Sequence, residues 1–189
     1  MQDLLDPLLQ YACEKGHRLN QRDWQRWEGW SDRCKLWTPS SEKPTELLNE
    51  QEFCECFCIP NGVSVHLVDG DPMSTEKAAQ GAIFFSKEQF NVGLRFPLQS
   101  LFKQFLHYTQ IPPAHIHPNI VRVLMGCSIL NMLFHLDLSL LEVLFIYTIK
   151  KGKKDIFSMF AHVPPLQLVI GLPDSNKGGA KGHILVWGP

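Results

Sequence analysis

Apolar residues recur at helical spacing through most of the first three-quarters of the chain. Leu4, Leu5, Leu8, Leu9 and Ala12 predict an amphipathic helix over Asp3–Lys15, ended by Gly16. A second short helix is predicted from Asn20 to about Trp30, with Asn20 as its N-cap and Asp23 in its first turn. Trp24, Trp27 and Trp30 fall within an arc of about 120° on it. The Pro- and Ser-rich stretch Thr38–Pro44 reads as a linker. Thr45 is placed to cap a helix running through Phe57, broken by Pro60.

The period then changes. Val63–Val68 alternates and is β-branched, which predicts a strand. Polar residues with Gly70 and Pro72 make 69–80 a loop, Ile83–Phe85 is a short apolar run, and Ser86 offers a cap for a helical turn at Lys87–Phe90. Pro97 opens an amphipathic helix with Leu98, Leu101, Phe102, Phe105 and Leu106 on one face, stopping before Pro112-Pro113. A helix follows from Pro118 to about Phe134. Ser139 with Glu142 forms a capping box for another, to about Ile149, and Gly152 ends it. Residues 155–162, 166–170 and 183–187 read as strands, the last two separated by the loop 173–182.

Helices followed by strands predict an α+β domain: a mainly helical core with a small, mostly C-terminal antiparallel sheet. Residues 1–44 form a helical N-terminal extension with its linker, and 45–189 the main domain.

Composition narrows the function classes. The chain has 189 residues, 44% hydrophobic and 20% charged, a globular balance. Eighteen Lys and Arg against nineteen Asp and Glu give a net charge of -1. That excludes a global basic field of the kind a general nucleic-acid binder carries. Asp3 and Asp6 precede any basic residue, which is wrong for a targeting peptide. The expected location is intracellular, cytoplasmic or nuclear, with Cys13, Cys34, Cys54, Cys56, Cys58 and Cys127 as reduced thiols. Val123–Ile149 has the length of a bilayer span. Asn131, His135, Asp137 and Glu142 inside it favour two buried helices with Asp137 in the turn, and no membrane contact.

Candidate chemistry is sparse. Cys54, Cys56 and Cys58 lack the spacing of a zinc site, and nothing joins them in sequence to His115 and His117. The stretch from Gly171 to Gly178 departs from a phosphate loop at Asn176 and Gly178, losing the backbone cradle and the magnesium-binding hydroxyl. Cys127 lies in an apolar helix, where a thiol stays protonated. His135 and Asp137 have no nucleophile tied to them, and Asp69 with Asp71 flanks a turn glycine. No catalytic residue, metal or cofactor is expected. Basic residues cluster at Lys150, Lys151, Lys153 and Lys154, then at Lys177 and Lys181. Arg22, Arg26 and Arg33 accompany the tryptophans. Such combinations can bind single-stranded RNA or DNA by phosphate contact and stacking. The competing reading is a protein partner or self-association through the Trp24/Trp27/Trp30 face.

A further set of residues carries a resemblance. These are Phe57-Cys58-Ile59-Pro60 before Val63, the run Phe90-Asn91-Val92-Gly93-Leu94-Arg95-Phe96-Pro97-Leu98, and Phe102 with Leu106. They continue with His117-Pro118-Asn119, the Lys-rich turn before Ile156-Phe157-Ser158, and Gly171-Leu172-Pro173-Asp174-Ser175-Asn176-Lys177. From about Glu52 to Val186 the chain resembles a domain of plant gypsy-type retrotransposon proteins. Members look like the N-terminal or gag-adjacent part of element-encoded polyproteins. The resemblance implies a non-enzymatic, retroelement-derived domain active in protein assembly or nucleoprotein contact, and it carries over no catalytic residue.

Overall fold

The computed structural model describes residues 44–68, 81–152, 155–162, 165, 167–169, 172 and 182–187. Its order is α1 (Glu50–Cys56), β1 (Ser64–Val68), β2 (Ile83–Ser86), α2 (Lys87–Asn91) and α3 (Ser100–Thr109). It continues through α4 (Pro118–Phe134), α5 (Leu140–Ile146), β3 (Tyr147–Lys151), β4 (Phe157–Ala161) and β5 (His183–Trp187). Helices and small antiparallel sheets make this an α+β fold.

Helix starts follow local hydrogen bonding. α1 begins at Asn49, whose Oδ1 accepts the Glu52 N–H at 2.8 Å while the Glu52 carboxylate accepts the Asn49 N–H at 3.1 Å. The predicted cap at Thr45 is therefore displaced. Its hydroxyl donates to Asn91 Oδ1 at 2.7 Å and ties the short 3₁₀ turn Thr45–Leu47 to the end of α2. α3 begins at Ser100, three positions after Pro97. The preceding Phe96 is engaged with Phe85 and Phe90, at ring-centroid distances of 5.7 and 5.8 Å. α4 runs as predicted, and His117 Nδ1 accepts the Asn119 N–H at its start.

The apolar run after α4 resolves into a turn, a short helix and a strand. His135 and Asp137 take left-handed backbone angles in the turn. Asn131 closes it, donating to Leu138 O at 3.2 Å and accepting the Leu138 N–H at 2.8 Å. The polar residue inside the apolar run is thus a turn clamp. α5 starts at the predicted Ser139–Glu142 box but stops at Ile146, not Ile149. Tyr147, Thr148 and Ile149 are aromatic or β-branched and pair with β4 instead. No helix among the described residues is long and apolar enough to cross a membrane.

The three-stranded sheet has the order β1-β5-β2, all antiparallel, with Ser64 opposite Trp187 and Ile83 opposite Val186. The last strand is its centre, so β5 reaches back to pair with two strands of the first half of the chain. The outer edge of β1 is blunted by Glu50, whose carboxylate accepts the Leu67 N–H at 3.1 Å and lies 2.6 Å from His66 Nδ1. β3 and β4 form a separate ribbon. Asn119 fastens it to α4, donating to Met159 O at 3.0 Å and accepting the Met159 N–H at 3.2 Å. The strand predicted at 166–170 does not form in its described part. Leu168 and Val169 make a bend, where Val169 N–H donates to the Tyr147 hydroxyl at 2.9 Å.

One apolar core joins these elements. Phe53, Phe57, Phe85 and Phe90 are almost fully buried, and the Arg95 guanidinium lies 5.0 Å over the Phe57 ring. The N-terminal half of α4 is buried on nearly every side except at Arg122.

Candidate interaction surface

The described residues considered for catalysis or metal binding occupy helix, cap and turn positions. Cys54, Cys56, Cys58 and Cys127 are free thiols. Burial pushes the Cys127 thiol up to about 12, so it stays protonated and inert as expected. Burial first, then the charges of Glu50 and Glu55, also raises Cys54. Cys58 is exposed at the end of α1, with φ of 52°. His117 caps α4, and His135 and Asp137 shape a turn. Among the described residues no group of three or more His, Cys, Asp or Glu side chains could hold a metal ion.

The lysine run is split by its secondary structure. Lys150 and Lys151 lie on a strand, where successive side chains point to opposite faces. Tyr147 and its diagonal neighbour Met159 are buried on the core side, and Lys151 shares that side opposite Phe157. Lys151 Nζ is 2.7 Å from Asp155 and 5.9 Å from the Phe157 ring centroid. That contact holds the Asp155 carboxyl below its ordinary range. Lys150 points outward with Thr148 and the exposed Phe160, and its Nζ lies 5.3 Å from the Phe160 ring centroid. It has no ion-pair partner among the described residues. The two lysines therefore do not form one cluster. Lys153, Lys154, Lys177 and Lys181 lie outside the described residues. So do Trp24, Trp27 and Trp30, the arginines beside them, the Asp69/Asp71 pair and most of the 171–178 loop.

The feature that sequence reasoning missed is on α5. Leu140 and Val143 face the core. Leu141 and Phe145, one helical turn apart, face out with 70% and 72% of their surface exposed. Leu136, in the turn before the helix, is also exposed. The sequence signal was present: LLEVLFI is apolar on every side except at Glu142, and a helix on the domain surface can bury only one face. α5 runs directly into β3, so Phe145 is followed after one short strand segment by Lys150 and its partner ring Phe160. Large exposed apolar side chains beside a lysine make a surface suited to contact with another molecule. No family model, curated protein or solved structure matches the chain.

Proposed function

We propose that this is a non-enzymatic, intracellular, retrotransposon-derived domain whose contacts are with protein, made through the outer face of α5. The origin rests on the sequence resemblance. The contact rests on the paired exposure of Leu141 and Phe145. Exposed leucine and phenylalanine one turn apart are the pattern by which a helix offers itself to another helix. The separation of Lys150 from Lys151 argues against a concentrated phosphate-binding stripe.

The test replaces Leu141 and Phe145 with serine in the full chain. Exposed positions tolerate such changes within about 0.5 kcal/mol, so the unfolding midpoint stays where it was. Protein retained by a tagged wild-type chain after cross-linking in cells is lost from the double variant and kept by Lys150→Ser. Equal retention by all three chains overturns the reading.

One observation favours a second reading, contact with single-stranded RNA or DNA: the exposed Phe160 ring carries Lys150 above it. Fluorescence anisotropy with labelled single strands at two salt concentrations decides it. Affinity that falls with salt, with a log–log slope of about 0.7 per phosphate contact, supports this reading. No binding at low salt removes it.

A further inference from the structure

We infer that the outer edge of β3 takes an extended segment of another protein, one that sets a carboxylate opposite Lys150. The inference rests on the hydrogen bonding of the β3–β4 ribbon and is separate from the α5 face.

The two edges of the ribbon differ. Gly152 N–H donates to Ile156 O and His162 N–H to Ile146 O, each at 2.7 Å. With Thr148 opposite Phe160 and Lys150 opposite Ser158, antiparallel alternation turns the backbone groups of Thr148 and Lys150 toward β4. Those of the intervening residues point away from the partner strand. On β4 such outward groups are taken. His117 N–H donates to Phe157 O at 2.8 Å, and Asn119 holds both groups of Met159. On β3 the Tyr147 N–H donates to Val143 O and so ends α5. The Tyr147 C=O and both backbone groups of Ile149 and Lys151 have no hydrogen-bond partner among the described residues. Thr148, Lys150 and Lys151 are exposed along this edge, and no further strand among the described residues pairs with it. A row of unpaired groups of this kind is a template for one more strand.

Charge decides which strand. Lys151 is already paired with Asp155. Lys150 lies over the Phe160 ring and has no carboxylate among the described residues. A second copy paired antiparallel about Ile149 would set two Lys150 side chains on one face of adjacent strands. Lysine on an edge guards against that kind of self-pairing. A strand with Asp or Glu opposite Lys150 turns the same charge into an attraction. The pleat sets the next position. Ile149 packs against the core from the other face, so the residue opposite it is apolar. The edge therefore suits a segment that alternates acidic and apolar side chains.

The experiment measures amide exchange by NMR in the full chain. The probes are two capped octapeptides, one alternating valine with glutamate and one alternating valine with lysine. The glutamate peptide in excess slows exchange of the Ile149 and Lys151 amides at least tenfold. The Thr148 and Lys150 amides, which face β4, change by less than twofold. The lysine peptide protects neither pair. Lys150→Glu reverses the preference, an outcome that a merely adhesive surface would not give. Equal protection by both peptides, or by neither, overturns the inference. An Ile149 amide already protected without peptide also overturns it. In that case protection that rises with protein concentration assigns the edge to a second copy, and constant protection assigns it to the chain itself.

Discussion

The Cβ that Gly126 lacks would fall 2.5 Å from Val169 Cγ2. Gly126 lies in the middle of α4, and Val169 belongs to the bend that crosses it. The bend cannot simply retreat, because Val169 is buried and its N–H is held by the Tyr147 hydroxyl. Burial pushes that phenol up to about 12, so it remains a neutral partner at any working pH. In an ordinary helix interior Gly→Ala stabilises by up to about 1 kcal/mol. Here overpacking reverses the sign, and Gly126→Ala lowers stability by about 1–2 kcal/mol. Urea unfolding checks this, and adding Val169→Ala recovers part of the loss.

Asn119 is the second clamp. It is buried and satisfies both the N–H and the C=O of Met159. Asn119→Ala leaves two buried backbone groups without partners and costs about 2–4 kcal/mol. Hydrogen exchange shows where the loss falls. Amides of β3 and β4 lose protection, while β5 in the other sheet keeps most of its own.

Acid weakens two surface contacts. Hydrogen bonds from the Ser139 hydroxyl, then from its backbone N–H, hold Glu142 below its ordinary value of 4.5. The Lys151 hydrogen bond and charge hold Asp155 below 3.8. A carboxyl depressed in the folded state contributes stability above its unfolded pKa and loses it as the pH falls through the folded one. Both contributions are therefore constant at neutral pH and disappear only below those ordinary values. The backbone Cα shifts of Leu140–Val143 move toward coil values from about pH 5 to about pH 3. In Glu142→Gln that movement is absent.

The thiols separate by exposure. Cys58 reacts promptly with iodoacetamide in the native chain, whereas Cys127, buried and protonated, reacts only at the rate of global unfolding. Peptide mapping after a short pulse labels Cys58 and leaves Cys127 unmodified. Comparable labelling of Cys127 would contradict the packing of α4.

Sequence reading found elements whose cause is local. Pro118 and the spacing to Phe134 defined α4, and Ser139 with Glu142 defined the start of α5. It failed where the deciding partner is distant. Tyr147–Ile149 continues an apolar run, and only pairing with Met159–Ala161 makes it a strand. The centre position of β5 depends on strands roughly a hundred residues away. The interaction surface was half legible. Four nearby lysines looked like one patch, but strand alternation separates Lys150 from Lys151. Leu141 and Phe145 looked like core, because apolar character alone does not say which side of a short helix faces out.

Hydroxyl-radical labelling of the full chain tests the central claim most directly, with Tyr108 as the internal reference. Tyr108 is 65% exposed on α3, close to the 70% and 72% of Leu141 and Phe145 on α5. Each rate is divided by that of the same residue in the urea-unfolded chain. If the α5 face is a protein-contact site, Leu141 and Phe145 are protected several-fold more than Tyr108 when the chain is labelled in cell extract. Protection no greater than that of Tyr108 would mean the face is open, and would contradict the account.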